Sequence, residues 1–359
     1  MKKSLSLIFV FLIIISLSAA SVDKKKPKNL ILFIGDGMGV AQVYSGMTSS
    51  GFTMTFPAFP VTGFSITYSN NRYITDSAAG ATALSTGEKT NNGMLAMRPD
   101  GTILTTIMET AKSKGMSSGL ICTSQVTDAT PSAFIAHNAS RANYEDIATW
   151  FLKGTADVFI GGGKDYFTNR TDSADLTVAL KKMGYDVVYT VSDMQKSRSY
   201  KLAGLLAEKG MPSIKGGRDT NYLAMATSKA IEILSGNPNG FILMVEGSEI
   251  DWAAHDNDID GVVNETLDLD RAVNVAYEFA KKSKNTLIVV TADHETGGLS
   301  LTDGDITEKR VSGTFSTKGH TGVMVPVFAS GPGSDAFSGV QQNTELYSDF
   351  MRLLSLDKK

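Results

Sequence analysis

Five short apolar runs, each stopped abruptly by a glycine or a polar residue, constrain the fold of this chain more than any other feature. They are Asn29–Ile34 before Gly35-Asp36, Leu120–Cys122 before Thr123-Ser124, Val158–Ile160 before Gly161, Phe241–Val245 before Glu246, and Thr286–Val290, which ends close to Asp293-His294. Unbroken hydrophobicity over so few residues marks strands buried on both faces, as in a parallel sheet covered by helices. Helical spacing recurs between the runs, at Ile107–Lys114, Tyr222–Leu234 and Leu267–Lys281. Strands alternating with helices predict an α/β fold. In such folds ligands sit at the carboxyl ends of the strands, and here the acidic residues collect at those ends.

The chain has 359 residues, 42% of them hydrophobic, and a formal net charge of -3, which suits one large domain with a sizeable core. The basic run Lys24–Lys28 is too short to make a nucleic-acid-binding face, so no specific nucleic-acid binding is expected. Lys2 and Lys3 precede the apolar run Leu5–Leu17, and the small residues Ser18, Ala19, Ala20 and Ser21 follow. That order predicts a signal peptide over residues 1–20, a basic linker over 21–28 and a single catalytic domain over 29–359. The run falls short of the ~20 apolar residues of a membrane span. Export to the periplasm or the medium, without a stable membrane anchor, is the expectation. A single cysteine, Cys122, allows no internal disulfide and reads as a core residue.

Three of the four histidines stand in a context that suggests metal ligation. Asp251 and His255 are four apart, a spacing that puts both on one face of a helix. Asp293 and His294 are adjacent where a strand ends, and His320 follows Lys318-Gly319. Carboxylate with imidazole suits zinc. Asp36, Asp128, Thr130 and Glu246 offer only oxygen, which suits magnesium. Each piece alone has an ordinary alternative: a surface Asp-His pair, a helix cap, a turn aspartate. Ser77 precedes the alanine-rich segment Ala78–Leu84, which should be helical. It reads either as the helix cap or as a nucleophile facing an anion at the positive end of the helix. No G-x-S-x-G elbow is present, so a Ser-His-Asp triad is not indicated and a metal ion would have to activate the hydroxyl.

Taken together the segments resemble the bacterial alkaline phosphatases. The resemblance is carried by Phe33–Gly39, Thr75–Thr82, Ser85–Gly93, Asp128–Pro131, Ala136–Arg141, Met244–Gly247 with Asp251 and His255, Thr291–Glu295, and Gly319–Thr321. They occur in family order from about Asn29 to Gly333, while 144–239 is matched only loosely. The resemblance implies a three-layer α/β/α sandwich around a large, mostly parallel sheet, and hydrolysis of phosphate monoesters. It implies two zinc ions and one magnesium ion per chain. Asp251, His255 and His320 would hold the first zinc. Asp293 and His294 would hold the second, with Asp36 bridging to magnesium. Thr130 and Glu246 would hold magnesium, with Asp128 acting through water. Ser77 would be the nucleophile, passing through phosphoserine, and Arg141 would clamp phosphate.

Two departures from the family pattern stand out. Only about 25 residues separate His294 from His320, so the inserted crown domain of large relatives is expected to be minimal or absent. That leaves the usual dimer contact in question and a homodimer an open expectation. Trp252 follows Asp251 at a substrate-facing position where some relatives carry lysine, and here it is combined with Asp128. Indole supplies no charge to phosphate. Within the superfamily, a phosphodiesterase is the enzyme rival, and a non-catalytic zinc- or phosphate-binding protein is the rival from another class. Serine as nucleophile together with Arg141 favours monoesters, and every proposed catalytic position is filled.

Overall fold

The computed structural model describes residues 26–357. The expected signal peptide and the first part of the linker lie outside the described residues. The strands, in chain order, are β1 (Asn29–Gly35), β2 (Val61–Ile66), β3 (Ser117–Gln125), β4 (Val158–Gly162), β5 (Asp186–Val188), β6 (Leu202–Leu205), β7 (Phe241–Gly247), β8 (Thr286–Thr291), β9 (Glu295–Thr296), β10 (Leu299–Asp305), β11 (Arg310–Phe315), β12 (His320–Thr321), β13 (Val325–Ser330) and β14 (Gly339–Gln342). Ten of them form one sheet in the order β14-β2-β13-β8-β1-β7-β3-β4-β6-β5. Among the described residues only β13 runs against its neighbours in this sheet.

The five apolar runs are the middle of this sheet, and their side chains alternate between two cores. Leu30, Leu32 and Ile34 face one, which is closed by the helices Ser77–Thr86, Ile107–Ser113 and Asn343–Leu353. Ile31 and Phe33 face the other, closed by Val40–Ser50, Tyr222–Leu234 and Ile259–Ser283. This is a three-layer arrangement. Each fully buried Leu, Ile or Phe contributes about 1.5–3 kcal/mol relative to exposure, so strands buried on both faces make the most stable part of the molecule.

One span differs from the sequence expectation. The helix expected over Leu267–Lys281 begins at Ile259, where Asp258 caps it by accepting from Gly261 N at 3.1 Å. Its first turns carry acids, which hide the period. The motif-poor stretch 144–239 builds β4, β5 and β6, the sheet edge farthest from β14. A two-stranded hairpin, β10–β11, fills the interval between His294 and His320. No helix among the described residues is long and apolar enough to cross a membrane.

Strand register places the site. Ile34 of β1 pairs with Glu246 of β7 on one side and Thr291 of β8 on the other, and Cys122 of β3 pairs with Glu246. Asp36, Glu246 and Asp293 therefore leave adjacent strands at the same level, on the carboxyl edge of the sheet.

Candidate active site

Close approach at this edge depends on residues without side chains. Gly37 has φ +70, and a Cβ there would come within 2.8 Å of Asp251 Oδ1. The helix Ser77–Thr86 is buried along its whole length, and a Cβ on Gly80 would lie 3.0 Å from the Asp293 carbonyl oxygen. The alanine- and glycine-rich composition is what lets this helix pack against the turn after β8. That contact aims its N-terminus into the site.

Two overlapping groups of ligand-type side chains result. In one, Asp251 Oδ2 lies 3.2 Å from His255 Nε2, His255 Nε2 lies 3.2 Å from His320 Nε2, and His320 Nε2 lies 3.7 Å from Asp251 Oδ1. In the other, His294 Nε2 is 3.3 Å from Asp293 Oδ2 and 3.5 Å from Asp36 Oδ1. His294 and His320 stack with ring centroids 3.6 Å apart, joining the groups. His320 reaches the site because β12 pairs with β9, setting His320 opposite Thr296. The far nitrogens are held by oxygen acceptors: His320 Nδ1 by the Thr75 carbonyl at 3.0 Å and His255 Nδ1 by the Lys318 carbonyl. Such contacts fix the tautomer that presents Nε2. The fourth histidine, His137, lies apart, between Glu109 and the Ala96 carbonyl.

Sequence reasoning passed over two positioning residues here. The Thr296 hydroxyl donates to Asp251 Oδ1 and lies 3.2 Å from His294 Nδ1, so one side chain orients members of both groups. Its proximity to His294 in sequence was the only available signal. Asp76 is the other. It caps the helix Ser77–Thr86 by accepting from Ala79 N at 3.0 Å. The cap is therefore Asp76, and Ser77 stands in the first turn with its hydroxyl free of that duty.

Ser77 Oγ lies 3.3 Å from His294 Nε2 and accepts from Arg141 Nη1 at 3.3 Å. Asp128 Oδ1, 3.3 Å from Nη2, and Asp76 Oδ2, 3.5 Å from Nη1, hold the guanidinium from two sides. Asp128 also caps the short helix Ala129–Ser132, which carries Thr130. Glu246 accepts from Ser124 Oγ at 3.3 Å. Ser77, Arg141, Asp251, Trp252, His255 and His320 line a cavity of about 360 Å³. Trp252 is half-exposed on its wall.

Around Asp36, Glu246 and Asp293 the electrostatics describe a cluster short of positive charge. Burial first, and then repulsion from Asp293, Asp251 and Glu246, raises the Asp36 carboxyl well above its ordinary range. Burial, then Asp128, pushes Glu246 up to about 8. Burial, then Asp251, pushes Asp293 up to about 7. Burial and the neighbouring His320 drive His294 down, so its ring is neutral and fit to be a ligand. Asp36 Oδ1, Asp293 Oδ2 and Thr130 Oγ1 are buried without a hydrogen-bond partner among the described residues. Two ligands about 2.1 Å from one tetrahedral ion lie roughly 3.4 Å apart, close to the separations found within each group. Donor type, spacing and charge all fit divalent cations.

Comparison with known proteins agrees with this geometry. The family model described as Alkaline phosphatase matches residues 27–313. Alkaline phosphatase 4 of Bacillus subtilis is 34% identical over 94% of this chain and 90% of its own length. Alkaline phosphatase of Escherichia coli K12 is 32% identical over 94% of this chain and 88% of its own. Among solved structures, the alkaline phosphatase of the Antarctic bacterium TAB5 is similar. A variant of it, with a histidine exchanged for aspartate and magnesium bound in its M3 site, is 38% identical, has a TM-score of 0.87, and covers 92% of this chain and 99% of that one. With sheet order, site and similarity over nearly the whole length in agreement, the chain belongs to the alkaline phosphatase family and is a metal-dependent phosphoric monoester hydrolase.

Proposed function

We propose that this enzyme works by double displacement at Ser77, through a phosphoserine. The observation that carries the proposal is the position of Ser77 Oγ, 3.3 Å from both the Arg141 fork and His294 Nε2, on the wall of the cavity. A Ser-His-Asp triad is disfavoured by the sides of the ring. A triad carboxylate engages the nitrogen opposite the serine. Here Asp36, Asp293 and Ser77 all lie on the Nε2 side of His294, and Nδ1 meets a threonine.

On this proposal Asp251, His255 and His320 would hold one zinc ion, Asp293 and His294 together with Asp36 would hold a second, and Thr130 and Glu246, aided by Asp128, would hold magnesium. The magnesium bound in the M3 site of the TAB5 variant supports a magnesium position in this fold. When bound, the ions supply Lewis-acid polarisation of the Ser77 hydroxyl, the leaving oxygen and water. Arg141 takes two phosphate oxygens in its planar fork and turns phosphorus toward Oγ. The Ser77 Oγ–P bond forms as the P–O bond to the alcohol breaks. Water then attacks phosphorus, releasing phosphate and restoring the serine hydroxyl. Export is also proposed, on the residue order at the N-terminus.

Two measurements test these assignments. Metal analysis of the purified protein should find about two zinc and one magnesium per chain, and aryl phosphate monoesters should be turned over far faster than the corresponding diesters. Activity that survives exhaustive chelation would rule the mechanism out.

A prediction about stability follows from the buried acids. A carboxyl whose folded pKa is raised stabilises the fold only while protonated. Its contribution is complete below the unfolded value, about 4 for these groups. It is lost as pH climbs through the folded values of about 7 for Asp293 and about 8 for Glu246. The metal-stripped protein should therefore melt at a lower temperature at about pH 9 than at about pH 6, while the zinc- and magnesium-loaded protein shows a much smaller drop. Thermal denaturation of both forms checks this. A stripped protein that gains stability over that interval would contradict it.

A further inference from the structure

The helix Glu249–His255 serves two cavities. Asp251 and His255 turn toward the ligand cluster. Glu249, Trp252, Ala253 and Asp256 follow the i, i+3, i+4, i+7 spacing of the adjacent face and line a second cavity of about 320 Å³. Its other walls are the loop around Ser213 and the early turns of the long helix Ile259–Ser283. Trp252 and Asp256 line both cavities, so the two spaces meet across one exposed indole.

Charge in the second cavity is unbalanced. Lys215 on its wall is tied to Asp258. Arg218, buried behind it, is tied to Glu265 and lies 3.0 Å from Asp268. Each of these cations is already matched by a carboxylate. Glu249 has no cation in direct contact: its residue is 6% exposed, it lines the cavity, and among the described residues its carboxylate makes no hydrogen bond or ion pair, Arg218 acting on it only at longer range. Asp256 stands exposed at the rim between the cavities. The Glu249 carboxylate faces the cavity rather than a cation of the protein, and a cation brought by a ligand is the chemistry that would pair with it.

We infer that this cavity is a leaving-group subsite that selects phosphate monoesters whose alcohol carries an ammonium or guanidinium group. With phosphate held between Ser77 and Arg141, the alcohol extends over Trp252. A cationic end one helical turn further, about 5 Å along the axis, meets Glu249. The indole face attracts the same cation on its path, and Asp256 adds negative potential at the passage. This rests on the phosphomonoesterase assignment, and the test keeps the two apart.

The test compares 4-aminobutyl phosphate with pentyl phosphate, matched in chain length, on the full zinc- and magnesium-loaded enzyme. Hydrolysis of pentyl phosphate reports on the assignment of Ser77 and Arg141. The ratio of kcat/KM values reports on the subsite. A charge-assisted contact predicts a ratio of at least about tenfold in favour of the amine, carried by KM. In Glu249→Gln, which keeps the shape of the side chain, the ratio should fall close to one. In Asp256→Asn, at an exposed position, it should fall part of the way. A ratio near one in the unaltered enzyme overturns the subsite, as does a ratio that Glu249→Gln leaves unchanged. An unchanged ratio with altered metal content in that variant makes the cavity a metal-ion site instead. If Glu249→Gln does not fold, Asp256→Asn and the decline of the ratio in high salt decide the matter, and persistence of the full ratio in both overturns the proposal.

Discussion

Ser77→Ala is expected to lose the phosphoenzyme altogether and at least about a thousandfold in kcat/KM. The size of the effect follows from what the side chain does in the structure. Among the described residues, Ser77 Oγ is the one hydroxyl in contact with both the Arg141 fork and the His294 ring. The substitution removes that atom and little else. Helix capping belongs to Asp76, through Ala79 N at 3.0 Å, and alanine is the best residue for a helical position. The variant should therefore fold and bind metal as the parent does, so the loss reads as chemistry rather than stability. Some hydrolysis should remain, because Arg141 and the rest of the cavity still position phosphate for attack by water. Acid quenching with labelled substrate, followed by peptide mapping, is the direct check. Label found on another residue, or a variant with most of its activity intact, would remove Ser77 from the mechanism.

How much of this was legible in the sequence depends on how far each contact reaches. The strand centres were legible because burial on both faces leaves short unbroken apolar runs, and their ends because a glycine or a polar residue follows each run. The Asp251–His255 contact is a property of one helical turn, and spacing alone specifies it. Contacts made across the fold were not specified in that way. His320 joins His255 and His294 only because β12 pairs with β9 after an intervening hairpin, and no local pattern encodes that pairing. Thr296 looks like any strand threonine until Asp251 is beside it. Asp76 and Ser77 both suit a helix N-terminus, and only the structure shows which one accepts from the backbone. Glu249 has the appearance of a solvent-facing helical acid, and it is the packing of the long helix that encloses it. The edge strand β5 and its neighbour β6 are three and four residues long, too short for a period to show. Family resemblance supplied the roles of Asp128, Thr130 and Glu246, for which residue chemistry alone offered only a set of oxygen donors.

Arg141→Ala is expected to cost about 2–4 kcal/mol of transition-state stabilisation for monoesters, roughly 30- to 1000-fold in kcat/KM. Two terms add. The first is the loss of two charge-assisted hydrogen bonds from the fork to phosphate. The second comes from the residues left behind. Asp76 and Asp128 hold the guanidinium at 3.5 and 3.3 Å, and once it is gone both face the substrate as uncompensated negative charge. That repulsion acts on the ground state as well as the transition state, so KM should rise along with the fall in kcat. The partial exposure of the side chain allows some screening by solvent and keeps the effect below that of a fully buried pair. A monoester dianion feels both terms more strongly than a diester monoanion, so the monoester-to-diester preference should narrow in the variant. Arg141→Lys should recover only part of the loss, because an ammonium supplies charge without the planar fork. Removing Asp128's charge in the alanine background, as Arg141→Ala with Asp128→Asn, should return part of the KM increase if the second term is real. Equal losses for monoester and diester, with no recovery in the double variant, would leave Arg141 without the clamping role that its position beside Ser77 suggests.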